Sequence, residues 1–223
     1  MTDIPIDENI KSVLALIAKA ANDAERDPHG ISLTAVSKTF PAETIELALK
    51  AGQRIFGENR VQEAQGKWPA LKSAYPDVRL HLIGSLQTNK SADAVALFDV
   101  IETLDREKLA KSLAKAAADH GGCPDLFVQV HTGEEAQKGG LAPYEAVGFV
   151  DWCRSDLNMP IVGLMAIPPA DEPPAPHFAL LFELAAKAKL PRLSMGMSGD
   201  YETAVHLGAT DVRVGSGVFG PRG

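Results

Sequence analysis

A lysine near the start of the chain carries the sharpest chemical signal in the sequence. Lys38 ends an apolar run, residues 33–37, of the kind that forms a buried β-strand. Partial removal of water from an amine lowers its pKa and frees the nitrogen lone pair to attack a carbonyl carbon. The position of Lys38 therefore allows Schiff-base formation. A solvated lysine at the end of a strand is the alternative interpretation.

Two loops near the other end of the chain carry serine and glycine at positions suited to an anion. The first contains Ser198 and Gly199, and the second contains Gly215 and Ser216. Glycine lets the backbone approach a ligand closely, and backbone N–H groups at the start of a helix point toward an anion. Either loop alone is equally typical of a turn with a capping serine, but the two together favour a phosphate site.

Arg213 and Asn59 are two further polar residues at the ends of apolar runs. An arginine inside a protein is tolerated where it is paired with a charge or faces a ligand. Arg213 is therefore expected either to donate a hydrogen bond to a heteroaromatic ring nitrogen or to form an ion pair with a carboxylate such as Glu58. Asn59 is placed either to contact a ligand or to cap a turn.

The elements that position these residues alternate regularly along the chain. The predicted strands, separated by segments with helical periodicity, are residues 31–37, 54–56, 79–83, 100–102, 125–130, 161–166, 192–195 and 211–214. An amphipathic helix at about 8–26 precedes them. Eight βα units favour a closed barrel over an open doubly wound sheet of roughly five or six strands.

The predicted fold class is therefore α/β, a (β/α)8 TIM barrel with an extra N-terminal helix. We expect residues 1–223 to form a single domain, with the barrel at about 31–220. The carboxyl ends of the strands meet on one face of such a barrel, and the loops after strands seven and eight commonly hold phosphate. Lys38 and the two serine loops would meet on that face.

Two further patterns concern the helices. Apolar stripes at helical spacing predict buried faces at Leu109, Leu113, Ala116 and Ala117 and at Phe178, Leu181, Phe182 and Ala185. Residues 167–177 contain five prolines. This segment predicts a rigid surface connection without helix, or a rim over the face that carries the site.

Charge and composition exclude several classes of protein. The chain has 22 Lys and Arg against 29 Asp and Glu, with no basic run, so neither nucleic acid nor an anionic membrane is an expected partner. No apolar run approaches the roughly 20 residues of a membrane span, and no secretory signal is visible, so we expect a cytoplasmic protein. Cys123 and Cys153 are expected to be reduced thiols, with no metal site.

A lysine at the end of strand one, with phosphate loops after the last two strands, resembles the fold-type III pyridoxal 5'-phosphate (PLP) proteins. More closely, the chain resembles the pyridoxal phosphate homeostasis protein family. The motifs that carry this resemblance are AVSKT at 35–39, FGEN at 56–59, VQEA at 61–64, HLIG at 81–84, LQTNK at 86–90, GLM at 163–165, SMGMS at 194–198 with Asp200, VRVGS at 212–216, and FG at 219–220 with Arg222. Ser85, His131 and Gly139 stand where the family usually has other residues.

The resemblance implies a role for each candidate. Lys38 would hold PLP as a Schiff base, the internal aldimine, and Arg213 would approach the pyridine nitrogen. The residues implied for the phosphate are Ser198, Gly215 and Ser216, with Gly199 nearby. Asn59 and Met165 would border the cofactor. Family members bind PLP, influence vitamin B6 and amino-acid pools, and have no established catalytic reaction, so no residue is assigned a catalytic role.

Three functions are consistent with the sequence. The first is a PLP carrier and buffer in vitamin B6 homeostasis, a monomer or weak dimer that passes PLP to apoenzymes. The second is a fold-type III racemase or decarboxylase. Racemases of that type take an acid or base from an added β-domain, and we expect none after Gly223. The third, from the barrel alone, is a sugar-phosphate aldolase with a Schiff-base lysine.

The carrier is favoured over the racemase or decarboxylase for two further reasons. None of Tyr75, Tyr144 and Tyr201 is predicted at the mouth of a strand. An arginine at the pyridine nitrogen would also weaken the electron sink that carbanion chemistry exploits. The sequence leaves open whether Lys138 takes part in PLP transfer.

Overall fold

Eight parallel strands form the framework of the structure, a computed structural model that describes residues 5–133 and 139–221. The strands are β1 (Ser32–Val36), β2 (Ile55–Glu58), β3 (Arg79–Leu82), β4 (Val100–Leu104), β5 (Asp125–Gln129), β6 (Ile161–Met165), β7 (Arg192–Met197) and β8 (Asp211–Val214). They close into a barrel in chain order, with β8 paired to β1. Lys138 and Arg222, named above, lie outside the described residues.

The predicted α/β barrel is confirmed, and each predicted strand is present. The boundaries differ most at β2, β4 and β7, which all extend two residues beyond their predicted ends. The predicted strands ended too early because small or polar residues, such as Gly57, Thr103 and Gly196, were taken as the strand ends. In the barrel, they continue the strand toward its carboxyl end.

Helices surround the strands in the order expected of a (β/α)8 barrel. The described helices are α1 (Ile6–Asp23), α2 (Ala42–Lys50), α3 (Val61–Gln65), α4 (Trp68–Ala74), α5 (Ser91–Leu97), α6 (Glu107–His120), α7 (Pro143–Ser155), α8 (Pro174–Lys187), α9 (Tyr201–His206) and α10 (Ser216–Phe219). The extra helix α1 packs against α9 and α10, and Asn9 Nδ2 donates to the Val218 carbonyl at 3.0 Å. It therefore covers the seam where the last βα unit meets the first.

Two predictions about α8 were wrong. The helix begins at Pro174, inside the proline-rich segment that the sequence assigned to non-helical connection. Proline is tolerated there because the first turn of a helix has no intrahelical partner for its backbone nitrogens. The Phe182 side chain, expected in the buried stripe, is 51% exposed. The buried face is centred on Leu181, and Phe182 lies about 100° around the helix from it.

The core is divided by the strands into an outer and an inner part. Along β5, Leu126 and Val128 pack in the large apolar core, whereas Phe127 joins Val100 and Met165 in a separate small cluster. Side chains alternate between the two faces of a strand, so this second cluster lies inside the barrel. The interior otherwise holds polar side chains from several strands, and these lie next to the candidate site.

Candidate functional site

A cavity of about 160 Å³ opens at the carboxyl ends of β1, β2, β7 and β8. Its lining residues are Val36, Lys38, Asn59, Ile83, Ile167, Met197, Ser198, Arg213, Gly215 and Ser216. Six of these were singled out from the sequence: Lys38, Asn59, Ser198, Arg213, Gly215 and Ser216. The closure of the barrel thus brings the lysine from the start of the chain to the serine loops at its other end.

Two sequence-predicted site residues lie outside this lining. Met165 belongs to the apolar cluster inside the barrel. Gly199 lies in the loop beside Ser198, and a Cβ atom placed on Gly199 would contact no atom within 4 Å. Sequence reasoning also missed the apolar side chains of the lining, among them Ile83 and Met197. An apolar residue at the end of a strand has the same sequence pattern whether its side chain lines a ligand cavity or packs in the core.

The two serine loops meet at one edge of the cavity. Ser198 Oγ accepts a hydrogen bond from the Gly215 backbone N–H at 3.4 Å. The first loop is fixed by the Met197 backbone N–H, which donates to Asp200 Oδ1 at 2.6 Å. A Cβ atom on Gly215 would lie 3.5 Å from Val36 Cβ, an ordinary contact. The protein itself therefore has room for a side chain at Gly215, and the space beyond it is available to a ligand.

Arg213 is a lining residue of the cavity and is also paired with a carboxylate. Although Arg213 borders the cavity, its side chain is only 3% exposed. Nη2 donates to the Ala166 carbonyl at 2.9 Å, and Nη1 donates to Ser194 Oγ. The carboxylate that pairs with Arg213 is Glu102, at 3.7 Å, so the expected ion pair with Glu58 was wrong. Arg213 therefore lies at the floor of the site, held by hydrogen bonds to β7 and to the residue after β6.

Glu102 is the centre of a buried polar network that the sequence analysis did not identify. Its Oε2 accepts a hydrogen bond from Ser194 Oγ at 2.5 Å, and its Oε1 lies 2.7 Å from His81 Nδ1. Burial favours the neutral acid, but the hydrogen bond and charge of His81, the charge of Arg213 and the Ser194 hydroxyl lower the pKa of Glu102 overall. A carboxylate in the middle of an apolar strand was the available signal, because such a group needs a buried partner.

Burial also lowers the pKa of Arg213, and this effect is opposed first by Glu102 and then by Asp200 and Asp211. Arginine remains protonated under ordinary conditions because its intrinsic pKa is above about 12. The guanidinium at the floor of the cavity is therefore a donor that cannot act as an acceptor. A ligand atom facing it must supply a lone pair.

Asn59 also lines the cavity and directly follows β2. Its Oδ1 is buried and has no hydrogen-bond partner among the described residues. Asn59 also borders a second cavity of about 430 Å³, which Ser85 and Lys90 help to line. Leaving a buried polar atom unpaired costs about 1–3 kcal/mol, so the Asn59 amide is suited to a polar ligand in the first cavity.

The two cysteines take no part in the site. Burial is the main cause that raises the pKa of Cys123 to about 11 and that of Cys153 to about 12. Both are free, as expected. Within residues 5–133 and 139–221, no group of His, Cys, Asp and Glu side chains has the arrangement of a metal site. In the same part of the chain, no helix combines the length and the apolar character needed to cross a membrane.

Comparison with known proteins identifies the type of domain that this chain forms. The family "Alanine racemase, N-terminal domain" matches residues 14–223. The barrel, which has Lys38 at its mouth, is therefore a domain of the alanine racemase N-terminal type. Across nearly its full length, the chain belongs to the pyridoxal phosphate homeostasis protein family, a placement that rests on the following relatives.

The pyridoxal phosphate homeostasis protein of Pseudomonas aeruginosa is 42% identical over 97% of this chain and 96% of its own length. That of Aquifex aeolicus is 38% identical over 96% of this chain and 97% of its own length. A solved structure of PipY from Synechococcus elongatus, with PLP bound, is 39% identical, with a TM-score of 0.78 over 92% of this chain and all of its own.

Proposed function

We propose that this chain binds PLP as a Schiff base on Lys38 and serves as a PLP carrier and buffer in vitamin B6 homeostasis. One observation carries the proposal: a single cavity joins Lys38 to two serine loops and a buried arginine. PLP has an aldehyde, a phosphate and a pyridine nitrogen, and the cavity offers a matching group for each. The PLP bound to PipY, a relative of similar length, supports the same ligand here.

The phosphate matches the edge formed by Ser198, Gly215 and Ser216. Two hydroxyl groups and the backbone N–H groups of these loops can donate to its oxygens. The space beyond Gly215 fits the close approach of an anion to the backbone. Gly199 is assigned a supporting role, since it keeps the loop next to Ser198 free of a side chain.

The pyridine ring matches the centre of the cavity. The Arg213 guanidinium can donate to the ring nitrogen and hold it unprotonated. The apolar side chains of Val36, Ile83 and Met197 suit the faces of an aromatic ring. Asn59, whose Oδ1 lacks a partner among the described residues, is assigned to the ring's polar edge. Met165 borders the site only indirectly, from the cluster inside the barrel.

The Lys38 amine, once deprotonated, attacks the aldehyde carbon. The carbonyl oxygen leaves as water, and a C=N bond joins Lys38 Nζ to that carbon. When bound, PLP supplies an electrophilic aldehyde and an aromatic ring able to accept electrons. Hydrolysis reverses the attachment without loss of either partner, which suits a carrier that must release its ligand unchanged.

The lining supports a carrier rather than an enzyme. Among the described residues, it contains no Asp, Glu, His, Tyr or Cys side chain that could act as a second acid or base. Racemisation and decarboxylation on PLP require controlled proton transfer at the substrate carbon. The arginine donor facing the ring nitrogen further weakens the electron sink. The alternative, a racemase or decarboxylase, is therefore the weaker proposal.

Loading the purified protein with PLP is expected to give a yellow protein, and borohydride reduction is expected to attach the pyridoxyl group to Lys38. Reduction converts the C=N bond into a stable amine, so peptide mapping identifies the modified lysine. The aldolase alternative predicts a protein that is colourless as purified, whereas a PLP carrier is expected to be yellow as purified. Attachment to a different lysine in the unaltered chain would contradict the assignment of Lys38.

The loaded protein is expected to pass PLP to a PLP-requiring apoenzyme and to turn over no amino acid at enzymatic rates. Transfer is measured as the activity that an apoenzyme regains when it is separated from the loaded protein by a dialysis membrane, compared with direct mixing. We also propose a cytoplasmic location and a monomer or weak dimer as the form that donates PLP. Rapid turnover of any amino acid would favour the enzyme instead.

A further inference from the structure

The residue that follows Lys38 has an unusual backbone conformation. Ser37 to Phe40 form a turn in which the Phe40 backbone N–H donates to the Ser37 carbonyl at 3.2 Å. Thr39, the third residue of this turn, has a φ of 69°. Turns with positive φ at the third position usually contain glycine or asparagine there, and a β-branched residue is a rare exception. Such strain costs about 1–3 kcal/mol and persists only where neighbouring groups enforce it.

A second lysine, Lys67, binds both ends of this turn. Its side chain is only 9% exposed, and Nζ donates to the Ser37 and Phe40 carbonyls at 3.1 Å each. The same Nζ donates to Glu63 Oε1 at 2.9 Å and lies 3.0 Å from Glu58 Oε1. An ammonium group has three N–H donors, so the two carbonyls and Glu63 use all of them. The ammonium thus bridges the residues on either side of Lys38 and Thr39.

The two carboxylates around Lys67 also bind the residues next to Lys38. Glu63 Oε1 accepts the Thr39 backbone N–H at 2.6 Å, so it holds the strained peptide directly. Glu58 is fully buried, and its Oε1 accepts the Ser37 hydroxyl at 2.6 Å. Burial raises the pKa of Glu63, but the hydrogen bonds from Lys67 and Thr39, with the charge of Lys67, lower it overall. Both neighbours of Lys38 are therefore bound to charged side chains.

We propose that Glu58, Glu63 and Lys67, here called the Lys67 clamp, are positioning residues that direct Lys38 into the cavity. The inference rests on the proposed function, since it concerns the lysine assigned to the Schiff base. A lysine side chain has several rotatable bonds, and fixing the backbone beneath it lowers the entropy lost when its nitrogen bonds to a ligand. Ion pairs of this kind add little net stability compared with apolar packing, so a role in orientation explains them better.

Two ligands distinguish a role of Lys67 in positioning Lys38 from a role in folding. PLP can bond to Lys38, whereas pyridoxine 5'-phosphate has an alcohol in place of the aldehyde and cannot. For Lys67→Met, we expect the affinity for PLP to fall about tenfold or more while that for pyridoxine 5'-phosphate changes less than about twofold. The Schiff-base absorbance of Lys67→Met should also develop more slowly after PLP is added. Isothermal titration and stopped-flow absorbance measure the two effects.

The matched control is Lys72→Met, on α4. Lys72 is also partly buried and paired, because its Nζ donates to the Leu97 carbonyl at 3.1 Å and to Asp99 Oδ2 at 2.8 Å. Its loss should leave both affinities unchanged. If Lys67→Met does not fold, because it leaves Glu58 buried without its cation, Glu63→Ala carries the test. Glu63 is partly exposed, and its loss should lower the affinity for PLP alone, by about threefold or more.

Three results would overturn the proposal. Equal losses of affinity for both ligands would mean that Lys67 only supports the fold. Unchanged affinities and rates in folded Lys67→Met or Glu63→Ala would mean that the clamp does not direct Lys38. If the unaltered protein binds both ligands equally, the Schiff base itself is wrong and the clamp has no role. The last result concerns the proposed function, and the first two concern the clamp alone.

Discussion

Lys38→Ala is expected to lower the affinity for PLP about 100-fold and to leave the affinity for pyridoxine 5'-phosphate within about twofold of the unaltered protein. The substitution removes the amine that forms the C=N bond, but the serine loops and Arg213 remain. It should not unfold the chain, because Lys38 is only half-buried and the backbone of its turn is held by Lys67 and Glu63. Titration of both ligands, with circular dichroism to confirm the fold, measures this difference.

Lys90→Ala is the matched control. Lys90 lines the neighbouring cavity that shares Asn59, so it is another amine on the same face of the barrel. Its removal should change the affinity for neither ligand. A loss of PLP affinity in Lys90→Ala as large as that in Lys38→Ala would contradict the assignment of the Schiff base to Lys38. Equal loss of both ligands in Lys38→Ala would mean that its side chain acts without a covalent bond.

The strands of the barrel could be predicted because they are buried on both faces and therefore appear as short apolar runs between helical segments. Their ends were less certain. Glu102 in β4 and Gly196 in β7 have residue types that are depleted in strands, and both lie where the pairing with the neighbouring strand shifts in register. In β4, the side chain of Glu102 is stabilised by His81 and Ser194 from neighbouring strands. Such partners are distant in sequence, so no local pattern indicates them.

The candidate site could be predicted where the type of a single residue indicates its chemistry. Lys38, Arg213 and the serine loops are polar groups at strand ends, and barrel closure brings such ends together. Met165 was assigned to the site by resemblance alone. Its position at the end of β6 is compatible with either face of the strand, and alternation places it in the apolar cluster inside the barrel.

The supporting groups could not be predicted for a different reason. Lys67 precedes a short helix in a sequence rich in polar residues, QGKW at 65–68, where a lysine is normally solvated. Its burial arises only when the turn after β1 lies over α3 and the start of α4. The sequence contains many other charged residues without an assigned role, and no local pattern distinguishes Lys67 from them. A charged pair such as Glu58 and Lys67 becomes informative once the fold shows that both are buried.

Ser216→Asp is expected to weaken PLP binding by more than about 100-fold, the second large effect. The substitution places a negative charge where the phosphate would lie, at the exposed edge of the cavity, and two like charges in direct contact repel each other. Ser216→Ala removes only a hydroxyl donor, and a hydrogen bond to a charged group contributes about 1.5–3 kcal/mol. The alanine variant should therefore lose roughly tenfold to 100-fold. Titration with PLP measures both variants.

Pyridoxal, which lacks the phosphate, distinguishes two causes of weaker binding in Ser216→Asp: repulsion of the phosphate by the new charge, and damage to the barrel. It should bind the unaltered protein more weakly than PLP but be almost indifferent to Ser216→Asp. Ser73→Asp makes the same charge change on an exposed position of α4, far from the cavity, where solvent and salt screen it beyond about 10 Å. It should therefore leave PLP binding unchanged. If Ser216→Asp weakens pyridoxal and PLP equally in a folded protein, the serine loops support the barrel rather than the phosphate, and the anion must be held elsewhere.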